Sequence, residues 1–157
     1  MIQRIQSVYL LFAALLLTAA FFFPLIVFDN QGQTFLEVYL KGFRDSSSPL
    51  TGLNVMMLLP LQIITAVSVV LAFSAIFLYK NRRSQLRFVK FGIVLLLVEI
   101  ALIFFYYSNL IGAATNAAPD YNHPAMYLIL AALILYVLAN RSIASDEKLV
   151  KAADRLR

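Results

Sequence analysis

The sequence predicts an all-α membrane protein with four transmembrane helices, and three observations carry that expectation. Apolar residues dominate: of 157 residues, 62% are hydrophobic and 13% charged, where a soluble domain carries about 25% charged residues. They gather into four runs, about 8–28, 53–79, 88–111 and 124–140. A helix rises about 1.5 Å per residue, so the first three runs can cross a hydrocarbon core of about 30 Å; the fourth does so if Asn140 and Arg141 lie at the interface. The cations follow the same partition. With both ends of the sequence cytoplasmic, the inner segments hold Arg4, then Lys80, Arg82, Arg83, Arg87 and Lys90, then Arg141, Lys148, Lys151, Arg155 and Arg157. Only Lys41 and Arg44 are left outside, the bias that membrane topology demands, and three crossings would put the last five cations on the wrong side.

The first run, Val8 to Phe28, is longer than a signal-peptide core of about 7 to 15 residues and lacks a small-x-small cleavage site before Phe21, so it reads as a retained span. Pro24 falls in its last turn, where it bends or ends the helix. Asp29 to Gly52 is amphiphilic. Turn formers at 29–33 separate Leu25–Phe28 from Thr34–Leu40, in which Leu36, Val38 and Leu40 alternate with Glu37, Tyr39 and Lys41. A small β-hairpin in the first extracytoplasmic loop is the expectation, with an interfacial helical turn as the alternative. Arg44 to Pro49, with three serines, reads as a loop. The second run, Leu53 to Tyr79, contains Pro60, which frees the carbonyl of Met56. After the basic cluster Lys80 to Lys90 comes the third run, then a small-residue loop, Gly112 to His123. Pro124 suits the first turn of the fourth helix, with Asn122 or His123 as its cap. From Ser145 a separate, short amphipathic helix is expected over 141–157, with Ser145 as N-cap, Asp146 and Glu147 in the first turn, and Leu149, Ala153 and Leu156 as its apolar stripe.

The composition excludes several chemistries. No cysteine is present, which removes thiol relays and disulfides. A single histidine, His123, argues against an all-protein zinc or haem site. No cofactor or metal and no enzymatic activity are expected. The net charge of +5 reflects topology rather than nucleic-acid binding, because the basic cluster has no base-stacking platform beyond Phe88.

Glu99 is the sharpest functional candidate. It interrupts the apolar run Phe88–Ile111 near its middle, where an unpaired ionised side chain costs a few kcal/mol or more. Heptad spacing puts Gly92, Glu99 and Tyr106 on one helical face. Gly92 admits a close neighbour, and a neutral Glu99 can donate to Gln62 or Thr65 of the second span. Glu99 is thus either a structural acid joining helices or a site for protons or cations. A full relay is disfavoured, because no second buried acid or base accompanies it. Lys80, Arg82, Arg83, Arg87 and Lys90, with Arg155 and Arg157, face anionic lipid headgroups or a protein partner, or simply orient the chain. Asp120 and His123 fall close together, but no nucleophile or second ligand accompanies them. Tyr106, Tyr107, Tyr121 and Tyr127 fit an interfacial aromatic belt.

The opening, Met1-Ile2-Gln3-Arg4-Ile5-Gln6-Ser7-Val8-Tyr9-Leu10, and the closing, Asp146-Glu147-Lys148-Leu149-Val150-Lys151-Ala152-Ala153-Asp154-Arg155-Leu156-Arg157, resemble those of the DUF4293 family, small membrane proteins of Bacteroidota. The similarity extends over essentially the whole chain, four-span layout included. It implies a bacterial inner-membrane location and supplies no catalytic residue. The function expected is a membrane scaffold or accessory subunit with a partner at the C-terminal helix or a second copy of the chain. The alternative is a small proton-coupled or solute transporter using Glu99.

Overall fold

The computed structural model describes residues 5–30, 33–45 and 54–155. The first helix, α1, is Ile5–Ala20 and ends eight residues before the Phe28 boundary expected for the first span. Pro24 is the reason. It has no N–H for the carbonyl of Ala20, four residues back, its ring collides with that oxygen, and it drives Phe23 out of the helical region.

The chain continues as β1 (Pro24–Asn30), β2 (Gln33–Tyr39) and β3 (Gly42–Asp45). A distant strand, β4 (Ala118–Asp120), pairs with β1 and completes an antiparallel sheet in the order β3-β2-β1-β4. β1 is therefore central, and Leu25, Ile26, Val27 and Phe28 are all buried. A strand covered on both faces reads as a continuous apolar run, which is why these residues look like the end of a span. In β2 and the turn after it, Leu36, Val38 and Leu40 are buried, Glu37 and Tyr39 half-buried and Lys41 exposed. Of the loop expected over Arg44–Pro49, Arg44 and Asp45 are instead the end of β3, paired with Glu37 and Leu36; its remainder and the expected second-span start at Leu53 lie outside the described residues.

A 3-10 turn, Val55–Leu58, capped by Asn54, leads into α2 (Leu59–Phe77). Pro60 stands in the first turn of α2 rather than inside a span, where its missing N–H costs no helical bond, and the Met56 carbonyl accepts the N–H of Leu59. After a tight turn, the Asn81 side chain accepts the N–H of Ser84 at 3.4 Å and opens α3 (Arg82–Ala101). Of the basic cluster Lys80 to Lys90, expected from the sequence as the loop between the second and third runs, Arg82 to Lys90 are thus the first turns of a helix, since Arg, Gln and Lys are good helix formers once capped. A π-helical segment, Leu102–Tyr107, joins α3 to α4 (Ser108–Thr115), so the helix extends into the expected loop. It stops at Asn116, held left-handed at φ 52°, a conformation asparagine tolerates. The last helix, α5, runs unbroken over Pro124–Arg155. The expected C-terminal helix is its end, and Ser145 is interior rather than a cap, because no glycine or proline interrupts the run past Asn140.

Val55–Phe77, Arg82–Thr115 and Pro124–Leu149 are each long and apolar enough to cross a membrane; α1 is apolar but shorter. Helix α1 packs on α5 and α2, and α3 on both α2 and α5. Small side chains, among them Ala13, Ala14, Ala72, Ala75, Ala132 and Ala139, are fully buried at these seams and let the helices approach closely. Large apolar side chains such as Phe12, Ile63, Val70, Phe91, Phe105 and Ile134 face outward, while Thr65, Ser68 and Glu99 are buried. That distribution is the reverse of a water-soluble bundle.

Candidate functional site

Glu99 belongs to the last turn of α3, and its residue exposure is 0%. One partner reaches it from α2: Thr65 Oγ1 lies 2.5 Å from Glu99 Oε1 and 2.8 Å from the carbonyl of Leu61, one turn back on its own helix. A hydroxyl carries a single proton. The Thr65 proton is shared between the two acceptors or, where the carboxyl is itself protonated, Glu99 donates to Thr65 while Thr65 donates to Leu61. Glu99 Oε2 is buried without a hydrogen-bond partner.

The bond goes to Thr65 and not to Gln62, which is half-buried on the neighbouring turn. Tyr106 leaves the face on which heptad spacing puts it: it is 53% exposed, whereas Tyr107 is buried and donates to the carbonyl of Met57 at 2.6 Å. The cause is the π segment between Glu99 and these tyrosines. An i→i+5 turn holds one residue more than an α turn, so the interior side passes from position 106 to 107. Sequence periodicity carries no sign of that insertion. Ser108, next along, contacts the Tyr121 hydroxyl at 2.5 Å, and the Phe104 and Tyr121 rings meet at 4.6 Å.

Gly92 sits against a side chain rather than a backbone. A Cβ added there would fall 2.4 Å from Cε1 of Tyr136 on α5. Tyr136 is fully buried, and its hydroxyl donates to the carbonyl of Ser68 on α2. Gly92, Tyr136 and Ser68 thus lock α3, α5 and α2 together. The sequence marks Gly92 as a point of close approach, but which residue fills the space depends on the register of a helix more than forty residues away.

The basic end of the bundle is organised by α5. Arg82 donates to the backbone carbonyl of Asp146 at 3.0 Å, Arg83 reaches the Glu147 carboxylate at 4.0 Å, and the buried Gln6 of α1 donates to the Asp146 carboxylate. Asp146 and Glu147, expected to open a helix of their own, are therefore brought beside the positive N-terminal end of α3 and its two arginines, where acids are favoured. Arg87 and Lys90 are exposed. The side chains of Lys80 and Arg155, and all of Arg157, lie outside the described residues. At the far end His123 Nε2 comes within 3.5 Å of Asp120 Oδ2, while Asp120 Oδ1 accepts the N–H of Asn122 at 2.9 Å. Among the described residues no group of three or more His, Cys, Asp or Glu is placed to hold a metal ion.

Apolar helices of spanning length, lipid-like outer faces and polar side chains paired in the interior are the features of a helical membrane protein, here carrying a small antiparallel sheet. The chain belongs to the DUF4293 family, whose model, described as a domain of unknown function, matches residues 2–156. No curated protein and no solved structure matches it.

Proposed function

We propose that this protein is a non-enzymatic membrane scaffold or accessory subunit of the bacterial inner membrane. It crosses four times with both ends cytoplasmic, and it offers the start of α3 and the end of α5 to a cytoplasmic partner. The observation that carries this reading over transport is the sealing of Glu99: fully buried and bonded to Thr65, it joins two helices as a structural acid does. In this topology α1, at 16 residues, covers about 24 Å and is a short span, accommodated by local thinning of the bilayer. Its Ile5, Val8, Leu11, Phe12 and Leu15 face outward, as lipid contact requires.

Because the chain has no cysteine, single cysteines report topology cleanly. Arg83→Cys is expected to react with a membrane-impermeant maleimide only after the cells are opened, and Arg44→Cys in intact spheroplasts. The reverse pattern would invert the orientation, and labelling of both from one side would remove the four-crossing arrangement.

A transport reading has one observation in its favour, the unpartnered Oε2 of Glu99, a position where a proton or cation could exchange. Reconstituted vesicles under an imposed pH gradient decide between the two. The scaffold reading expects the wild-type protein and Glu99→Gln to acidify at the rate of empty liposomes. Flux above that background that Glu99→Gln abolishes would replace scaffold with transporter.

A further inference from the structure

At the end of the bundle where α1, α2 and α3 meet lies a cavity of about 450 Å³ that the polar site around Glu99 does not include. Its wall combines Arg82 and Gln85 from the opening turns of α3 with Ser7 of α1 and Tyr79 from the turn after α2. Its lower side is apolar, formed by Ile76 and Phe77, and Phe77 is 78% exposed toward the lipid-like face.

Two features make this more than a surface dent. Gln85 is 98% buried, since its exposure is 2%, and its side chain lines the cavity. An amide side chain at such a wall can donate to a group that enters the cavity. Arg82 is held in place by a backbone carbonyl, that of Asp146, rather than by a carboxylate. Its guanidinium is thereby oriented without a carboxylate partner of its own among the described residues, unlike that of Arg83 beside Glu147. An oriented guanidinium, an amide donor and two hydroxyls around one space suit a phosphate, because all of them can donate to its oxygens. Among the described residues no carboxylate lines the cavity; the nearby Asp146 carboxylate is taken up by the lining Gln6.

We propose that this cavity binds the phosphate of an anionic glycerophospholipid from the inner leaflet, with the acyl chains descending past Ile76 and Phe77. The inference rests on the proposed topology, which puts this end at the cytoplasmic surface. Arg82 clamps the phosphate, Gln85 and Ser7 donate to it, and the Tyr79 ring marks headgroup depth, as interfacial aromatic residues do. Free phosphate shares the chemistry but has no use for the apolar lower side.

The test uses the full chain taken from nanodiscs of three parts phosphatidylcholine to one part phosphatidylglycerol, with retained lipid counted by native mass spectrometry. The wild type is expected to keep one phosphatidylglycerol. Arg82→Gln should lower retention about fivefold, the equivalent of one cation's attraction near a membrane surface, and Gln85→Leu should lower it as well. Lys148→Gln, an exposed cation at the same end of the bundle, should leave it unchanged. Arg82→Lys, which keeps the charge, should retain more than Arg82→Gln, and equal thermal stability of the two variants removes misfolding as the cause. Equal retention of phosphatidylcholine, an equal loss in Lys148→Gln, or displacement by millimolar inorganic phosphate would each overturn the proposal. The maleimide labelling reads topology independently, so a failure of the lipid site and a failure of the topology are distinguishable.

Discussion

Gly92→Ala is expected to destabilise the protein by about 3 kcal/mol, a methyl-sized change with the effect of a large core deletion. The new Cβ would stand 2.4 Å from Cε1, 2.9 Å from Cζ and 3.0 Å from the hydroxyl oxygen of Tyr136. A flexible tip could step aside, but this ring is fully buried and its hydroxyl is bonded to the carbonyl of Ser68. Moving it pries α5 from α3 and breaks the link to α2. The overpacking contributes about 1–3 kcal/mol and the lost interhelical bond about 1 kcal/mol more. Thermal unfolding of the purified protein in detergent checks this directly. Gly92→Ala combined with Tyr136→Leu, which removes the ring, should cost less than the sum of the two single changes. Strict additivity, or a Gly92→Ala protein that melts with the wild type, would show that the ring does not fill this space.

The second large effect concerns Glu99 and its partner. Thr65→Val should cost about 2 kcal/mol, because it leaves the fully buried carboxyl with no hydrogen bond at all. Glu99→Gln keeps the shape and both a donor and an acceptor, so a loss below about 1 kcal/mol is expected. Removing both polar groups in Thr65→Val with Glu99→Leu should bring stability back toward the wild type, since no orphaned polar atom remains. The double-mutant cycle is expected to give a coupling of about 1 kcal/mol, the usual scale for polar pairs between membrane helices. Zero coupling would mean that the contact is incidental.

The sequence reading and the structure part company at identifiable places. Pro24 was visible as a helix ender, yet the apolar run beyond it concealed a central strand, because a strand buried on both faces and a span end share one composition. The alternation of Leu36, Val38 and Leu40 was legible, whereas β4 was not: Ala118, Pro119 and Asp120 have no strand character of their own, and they pair because α4 delivers them beside β1. Glu99 was legible as a buried acid and Thr65 as a candidate partner. Tyr106 was misplaced by the π segment, and the link between the Asp146–Glu147 stretch and the start of α3 needed the length of an unbroken α5.

By itself, then, the sequence determined the long apolar helices, the clustering of cations at one end, the acid in an apolar run and the stop at Pro24. Each is local, set by composition or by one residue's covalent geometry. Only the tertiary structure decided which faces meet. In a protein whose lipid-facing and interior surfaces are both apolar, hydrophobic periodicity does not tell inside from outside. That choice falls to steric fit, as between Gly92 and Tyr136, and to hydrogen bonds between residues far apart in the chain, as between Thr65 and Glu99.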